Sequence, residues 1–474
     1  MSGAASTSTG SAAETADQAL TRAQAAAQAK RFGEAAGICN DVLAASPEHP
    51  QALALLGMVA AHTNDPERGI TLLERAVAAR PGVSSWHANL GALYRMVYRM
   101  QDALRAGQEA IRLDPQNPDH LVNLSLAFTD VDDREHAMAC LLRALGVKPD
   151  HADGHLALGQ NLLAVGEFEP GWLEYEWRNQ TEAGKGTLPK MTSAVWNGMR
   201  IPQGRLLMVG DQGYGDTIQF ARYIPLIADR CKELILGCSA EMGPLLASLP
   251  GVSQYCHRWT DVPGHAAHCR LSSVPGLLHT VLETIPASVP YLFADPARIA
   301  AWRERLDARL PQGVRRIGLA WTGRPTHPND RRRSMPLARL APLATAGRAS
   351  FVSLQKPLPA ADEASLSTFP GLADYSAELT DFGETAALIS NLYLVITVDT
   401  AMGHLSGALG KPVWIMLPKA ADWRWMLDRS DSPWYPTARL FRQTIPGAWD
   451  PVVAEVAAAL AEHLRTGAEG IAAN

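Results

Sequence analysis

The sequence has little charge, no paired-cysteine motif and no long apolar run, and each shortage argues against a class of protein. Only 19% of the residues are charged and the formal net charge is −5, so nothing indicates a nucleic-acid or membrane-surface partner. No apolar stretch is long enough to span a bilayer. The N-terminus also lacks a basic start followed by an apolar core, which argues against a signal peptide. We therefore expect a cytoplasmic protein without a membrane span.

The cysteines are scattered without a CxxC pair, as is typical of reduced thiols. One segment nevertheless groups several zinc-ligand types, namely Cys256, His257, His265, His268 and Cys269. Their spacing fits no usual zinc pattern, and the segment is rich in proline and glycine. The sequence therefore favours no metal site, with zinc binding in this segment as the alternative.

The first third of the chain is a repeat. A length of 474 residues implies two to four domains. Within the first third, Pro47, Pro81, Pro115 and Pro149 follow one another at intervals of 34 residues. This period is typical of helix–turn–helix solenoids, in which each proline ends the second helix.

Small and large residues share fixed phases within these units. Leucine stands at one position of each unit, and the next position reads Gly57, Gly91, Ser125 and Gly159, which predicts that two helices cross closely there. In both spacing and residue type the segment resembles the tetratricopeptide repeat, with an earlier and weaker unit before Pro47. Such solenoids offer a groove for a protein or peptide. The alternative is a spacer or dimerisation element, which would give a homo-oligomer.

In the second half, short apolar runs alternate with helical patterns. One series of runs lies at 205–209, 233–236 and 255–256, and a second at 315–321, 351–355, 394–399 and 412–417. Strands that alternate with helices predict parallel sheets, which bind ligands beyond the carboxyl ends of their strands. A break near 286–296 separates the series, so we expect two Rossmann-like domains, with the final helix packing back across both.

The loop after the first of these runs reads "VGDQGYGDTIQF". Its glycines, Gly210, Gly213 and Gly215, are spaced GxxGxG, which fits neither the dinucleotide fingerprint nor a P-loop. Asp216 follows at the start of a helix. It is either a helix N-cap or a carboxylate that acts as a general base.

The second series offers polar groups after its strands. Arginines crowd the loop "WTGRPTHPNDRRRSMPL", and guanidinium groups can grip a diphosphate bidentately. The alternative for this loop is a solvated basic surface. Gln355 and Lys356 end the next strand. In "VITVDTAMGHLSGALGKPVWIML", Asp399 and Thr400 precede a helix start, which is an anion site, and His404 lies one turn into that helix. The alternative for this last segment is a capped helix with a packed histidine.

At these motifs the second half resembles the heptosyltransferase-like glycosyltransferases of the GT-B fold. The similarity rests on "YGDTIQFARYIP", "DRRRSMPL", "VDTAMGHLSGALGKPVWIML" and "DWRWMLDRSDSPWYPTARLFRQ". Bacterial protein O-glycosyltransferases, some acting on flagellin, join tetratricopeptide repeats to such a domain, and the plan is also similar to that of O-linked N-acetylglucosamine transferases. The resemblance implies an α-solenoid followed by an α/β GT-B glycosyltransferase with two Rossmann-like domains.

The resemblance also implies a role for each motif. Asp216 takes the place of the catalytic base, within an acceptor loop formed with Gly213, Tyr214, Gly215 and Thr217. The donor nucleotide-sugar falls to the second domain, and the residues implied are Thr322, Gly323, Arg333, Gln355, Lys356, Asp399, Thr400, Ala401 and His404. Neither a cofactor nor a metal is implied.

The expected boundaries follow from these assignments. They are a disordered N-terminus (1–16), the solenoid (17–180), a connector (181–200), an acceptor domain (201–310), a nucleotide-sugar domain (311–445) and a final helix (446–474). The expected function is transfer of a sugar to a hydroxyl, on Ser or Thr of a protein recruited by the repeats. Two alternatives stay open: transfer to a lipid or saccharide, and a scaffold whose glycosyltransferase domain is inactive.

Overall fold

The computed structural model describes residues 14–246, 249–327 and 329–469. Residues 1–13 of the expected disordered N-terminus lie outside this description. The chain forms two compact units, one up to Gly154 and one from His155 onward. Each unit is described by itself below.

The first unit is a helical solenoid whose helices follow the 34-residue period. Its helices are α1 (Ala16–Gln28), α2 (Phe32–Ala45), α3 (Pro50–His62), α4 (Pro66–Ala79), α5 (Ser84–Met96), α6 (Met100–Leu113), α7 (Pro118–Asp130) and α8 (Arg134–Val147). Each period proline lies two residues beyond the end of a helix, as predicted. The close crossing is also confirmed: a Cβ on Gly57 would lie 3.0 Å from the carbonyl oxygen of Gly69.

The second unit contains two parallel sheets. Its strands are β1 (Ala194–Val195), β2 (Ile201–Val209), β3 (Cys231–Gly237), β4 (Gln254–Cys256), β5 (Ala267–Arg270), β6 (Arg315–Ala320), β7 (Ala349–Ser353), β8 (Leu372–Asp374), β9 (Leu394–Val398), β10 (Val413–Leu417) and β11 (Ala438–Arg442). The strand orders are β1-β5-β2-β3-β4 and β11-β10-β9-β6-β7-β8, and every pairing is parallel. This confirms the predicted fold class, a solenoid followed by an α/β region of GT-B type.

Helices connect and cover these strands. They are α9 (Ala152–Ala164), α10 (Phe168–Tyr175), α11 (Tyr214–Ala221), α12 (Ile224–Ala228), α13 (Gly243–Leu246), α14 (Val274–Leu277), α15 (Pro296–Arg309), α16 (Asp330–Arg333), α17 (Glu363–Thr368), α18 (Phe382–Ser390), α19 (Ala401–Ala408) and α20 (Trp449–Glu469). The predicted runs all became strands, whereas β1, β5, β8 and β11 were not predicted. Three of these four are edge strands, where hydrophobic patterning is weakest.

Helix α10 belongs to the core of the second unit. The sequence places it in the solenoid as a modified capping unit, in which aromatics replace the small residues and which is expected to dock against the segment that follows. The Trp172 indole nitrogen donates to the carbonyl oxygen of Thr280 at 2.8 Å, and its ring meets Trp423 edge-on with centroids 5.3 Å apart. Phe168 and Tyr175 are buried in the same core. The division of the structure at residue 154 therefore differs from the expected boundary at 180, because aromatic residues of this last helix pair join the α/β core.

The final helix corrects one expectation. We expected it to pack across both Rossmann-like domains, but the buried side chains of α20 join the core of the second sheet. Val453 and Val456, for example, pack with Leu319 and Met416 there. A segment that does reach the first domain is 422–435, which contacts α10 and α11.

Among the described residues, no helix has both the length and the apolar character needed to cross a membrane.

Candidate active site

The site lies where the carboxyl ends of β2 and β9 lead into α11 and α19. Gly213 is the N-cap of α11, and Thr400 is the N-cap of α19, where its hydroxyl accepts the N–H of Met402 at 3.3 Å. The two helix starts touch. A Cβ on Gly215 would lie 2.8 Å from the His404 ring and 3.6 Å from Cα of Ala401. Glycine at 215 therefore allows the acceptor loop to approach the DTxxxH segment closely.

Asp216 is not the N-cap of its helix. It stands in the first turn of α11, and its carboxylate reaches back to accept the backbone N–H of Gly213. The same carboxylate forms an ion pair with Arg424, which comes from the other domain. The side chain keeps 21% of its surface exposed, so a proton can still reach it. Burial raises the pKa of the Asp216 carboxyl, while Arg424 acts in the opposite direction.

Arg424 was not identified from the sequence, although it stands in the quoted "DWRWMLDRSDSPW" motif. Its guanidinium is buried and is held on several sides. Nη1 donates to Asp422 at 2.8 Å, Nε donates to Gln219 at 2.5 Å, and the group lies 4.4 Å from the ring of Trp423. The place of Arg424 between Trp423 and Trp425 was the available signal.

Arg222 is a second buried arginine that sequence reasoning missed. Its Nη1 donates to the carbonyl oxygens of Trp434 at 2.6 Å and Pro286 at 3.1 Å. Its Nη2 donates to Tyr291, and it lies 4.7 Å from the ring of Tyr435. Arg222 therefore ties α11 to the 422–435 segment through carbonyl groups and aromatic rings.

Arg333 lies against the backbone of Gly323 and the end of β9. Its Nη1 donates to the carbonyl oxygen of Asp399 at 2.9 Å. A Cβ on Gly323 would meet Nη2 at 2.8 Å, so the glycine makes room for the guanidinium. Nε of Arg333 is buried and has no hydrogen-bond acceptor among the described residues. Nε forms an ion pair with Oδ1 of Asp330 at 3.8 Å, which is beyond hydrogen-bond distance. Thr322 neighbours Gly323, with its N–H bound to Gln355.

Asp399 and His404 are both buried beside α19. Burial raises the pKa of Asp399 to about 6; Asp422 acts in the same direction and Arg333 in the opposite one. His404 shares a 2.9 Å hydrogen bond with the Tyr435 hydroxyl and stacks on Trp425 at 5.2 Å. Burial lowers the pKa of His404 to about 3, so the ring is neutral at physiological pH.

Two further donor-site candidates, Gln355 and Lys356, bind backbone groups of the protein itself. Gln355 is buried, and its amide is used on backbone groups of Trp321, Thr322 and Pro357. Lys356 donates to the carbonyl oxygen of Leu379. Gln355 thus shapes the loop after β6 and has no free polar group for a donor in this conformation.

Within the acceptor loop, Tyr214 and Thr217 face different ways. Tyr214 is 42% exposed and lies 4.8 Å from the ring of Phe382. Thr217 is buried, and its hydroxyl lies 2.9 Å from where a Cβ of Gly210 would stand. Of these two side chains, only Tyr214 is placed where it can meet an acceptor.

The two cysteines of the zinc alternative lie on strands of the first sheet that are not neighbours. Cys256 ends β4 and Cys269 lies on β5, and these strands are separated by β2 and β3. Three strand spacings amount to about 14 Å, which no single zinc ion bridges. Within the described ranges, no group of three or more His, Cys, Asp or Glu side chains is arranged to hold a metal ion.

Comparisons with known proteins match both halves of the chain. Residues 26–93 match the tetratricopeptide repeat model, and residues 377–416 match that of glycosyltransferase family 9 (heptosyltransferase). Protein FlbA of Caulobacter vibrioides is 26% identical over 444 residues, which cover 88% of this chain and 73% of FlbA. The second match contains Asp399, Thr400, Ala401 and His404, and it supports glycosyl transfer in general.

Two similar solved structures each cover about a third of the chain. A thermophilic tetratricopeptide protein of Thermus thermophilus is 19% identical over 36% of this chain and 92% of its own, with a TM-score of 0.33. MamA from Desulfovibrio magneticus RS-1 is 16% identical over 36% of this chain and 97% of its own, with a TM-score of 0.32. Likenesses at this level do not bear on function.

Proposed function

We propose that this protein transfers a sugar from a nucleotide-sugar to the hydroxyl of Ser or Thr in a protein acceptor that the repeats recruit. The family 9 match supports glycosyl transfer, and the tetratricopeptide match supports protein binding. Flagellin is the acceptor that the resemblance to bacterial proteins of this layout suggests. The choice of sugar and nucleotide is left to experiment.

The observation that carries the proposal is the contact between two helix starts at the carboxyl ends of parallel strands. The start of α11 presents Asp216, and the N-terminus of α19, with its positive dipole end, lies beside Arg333. Helix N-termini favour anions, and guanidinium groups bind phosphate oxygens strongly. The carboxylate proposed as base and the proposed anion site thus lie on facing elements, an arrangement that suits direct displacement of a diphosphate.

In the proposed reaction, Asp216 accepts the proton of the acceptor hydroxyl while the oxygen attacks C1 of the sugar. The bond from C1 to the diphosphate oxygen breaks, and the electron pair leaves with the nucleoside diphosphate. Arg333 and the positive end of the α19 dipole stabilise that charge. These groups supply positive charge that a metal supplies in other enzymes, so the scheme needs no metal. Attack opposite the leaving group inverts the configuration at C1.

The test begins with a panel of nucleotide-sugars. A donor that binds the folded protein raises its unfolding temperature by mass action. With that donor, Asp216→Asn should keep the thermal shift and lower kcat/KM for transfer by about 10² to 10⁴-fold, because it removes the base. Asp229→Asn, which changes an exposed carboxylate of the same domain, is the matched control.

Retained turnover in Asp216→Asn would remove Asp216 as the base. A thermal shift without transfer to any protein would favour a lipid or saccharide acceptor. No shift with any donor would favour the non-catalytic scaffold.

A further inference from the structure

Arg424 is held by groups from both Rossmann-like domains. Gln219 and Asp216 come from α11, and Asp422 and Trp423 come from the segment that carries Arg424 itself. Its side chain is 8% exposed. A planar group fixed by Nε, Nη1 and Nη2 on different partners has one orientation available to it. One oxygen of Asp216 is thereby fixed on Arg424.

We propose that Arg424 is a positioning residue for the transfer reaction: it holds the Asp216 carboxylate ionised and oriented toward the acceptor hydroxyl. The inference rests on the proposed function, since it takes Asp216 as the base. It also means that the second domain supplies a group on which the base in the first domain depends. The base is then complete only when the two domains are together.

The contrast with Arg222 argues against a purely structural role. Both arginines are buried and both join α11 to the 422–435 segment. Arg222 does so through carbonyl oxygens and aromatic rings. Arg424 instead places its charge between two carboxylates, and burying three charged groups is expensive. Hydrogen bonds to carbonyl oxygens would join the two domains without the cost of burying carboxylates. The carboxylates beside Arg424 therefore indicate that its charge has a role beyond joining the domains.

The charged and titratable groups near Asp216 come from several elements. Their effects on Asp216 differ in sign: the negative charges raise the pKa of Asp216, and Arg424 is the cation that lowers it. The groups are Arg424 and Asp422 in the 422–435 segment, Asp211 in the loop after β2, Tyr175 in α10 and the neutral His404 in α19. Loss of Arg424 leaves the carboxylates unopposed, so Asp216 should stay protonated to a higher pH.

The experiment compares pH profiles of kcat/KM for the wild-type chain, Arg424→Gln and Arg424→Lys, with the donor found by thermal shift. A base must be deprotonated to act, so activity rises with pH. In Arg424→Gln this rise should move to higher pH, and kcat at neutral pH should fall about tenfold or more. The donor-induced thermal shift should stay. Arg424→Lys, which keeps the charge, should restore the position of the rise.

Arg222→Lys is the matched control, because it alters a buried arginine between the same elements without touching Asp216. Its profile should rise at the wild-type pH. Gln219→Met removes only the hydrogen-bond acceptor of Arg424 Nε. It should lower kcat without moving the pH at which activity rises. This variant tests the inference if Arg424→Gln does not fold. An unchanged profile and kcat in Arg424→Gln, or an unchanged kcat in Gln219→Met, would overturn the inference.

Failure of the proposed function gives a different result. A wild-type chain that binds no donor and transfers no sugar would overturn the proposed function, and the inference with it. An active wild-type chain that Asp216→Asn inactivates and Arg424→Gln leaves unchanged would overturn the inference alone.

Discussion

Asp399 lies against the backbone that would meet the donor diphosphate. Its pKa is raised to about 6 because the carboxyl is buried and Asp422 is near. Below that pH the folded protein holds the carboxyl neutral, and above it the negative charge opposes both burial and an anionic ligand. His404, with a pKa of about 3, does not titrate in this range. Asp399 is therefore the group at this site that should make donor binding depend on pH.

Donor affinity should accordingly increase as the pH falls through about 6, because protonation removes a repulsive charge while the diphosphate keeps its own. Asp399→Asn should bind the donor with the affinity that the wild-type chain has at low pH, without this dependence. Calorimetric titrations between about pH 5 and 8 measure both. Asp450→Asn, which changes an exposed carboxylate of α20, is the control. The same pH dependence in Asp399→Asn would contradict the assignment.

Sequence reasoning found the residues of this site that stand in local patterns and missed those defined by distant contacts. Asp216 and Asp399 follow strands at the start of helices, and that pattern is visible in a few letters. Arg424 meets Asp216 across 208 positions of sequence. For Gln355, its place after a strand predicts a ligand contact, and the structure adds that its side-chain amide binds backbone groups, which no local pattern indicates.

At the scale of elements, the strength of the local pattern decided what could be predicted. The solenoid repeats one unit, so the pattern of each helix recurs in the other units and strengthens the prediction of that helix. The central strands β2, β6, β9 and β10 are apolar runs because both faces are covered. Strand β1 has two residues and β8 has three, too few to show a period. Their pairing depends on neighbours in the sheet.

The helix crossing at Gly159 gives a stability prediction. A Cβ there would stand 2.5 Å from the backbone nitrogen of Tyr175, and a backbone atom cannot move aside as a side chain does. Gly159→Ala should therefore destabilise the second unit by about 1 to 3 kcal/mol, as overpacking does. Thermal or urea unfolding measures the change.

Gly37→Ala is the comparison, because Gly37 is an exposed position within α2 and no atom lies within 4 Å of the place that an added Cβ would take. Alanine is the better helix former there and should stabilise by about 0.5 to 1 kcal/mol. If the two substitutions changed the free energy of unfolding equally, an added Cβ at Gly159 would not overpack the helix crossing, which would contradict the prediction.

At the scale of the whole molecule, the period of the repeat runs past the point where the structural unit ends. Helices α9 and α10 keep the phase of the solenoid, which is why the sequence placed them in it. The aromatic residues of α10, Phe168, Trp172 and Tyr175, are buried in the α/β core. The period of a segment predicts its helices, whereas the core that the segment joins depends on its side chains. The last repeat thus serves as part of the proposed enzyme.

Two truncated chains separate these roles. A chain that begins at Ala152 keeps α9 and α10, and it should fold, bind the donor and hydrolyse it slowly while losing transfer to the protein acceptor. A chain that begins at Thr181 lacks the three buried aromatic side chains, each worth about 1.5 to 3 kcal/mol. That loss is comparable to the whole stability of a typical domain, about 5 to 15 kcal/mol. It should unfold at a much lower temperature and show no donor-induced shift. Protein glycosylation by the Ala152 chain at the wild-type rate would contradict recruitment by the repeats, and a stable Thr181 chain would contradict the place of α10 in the core.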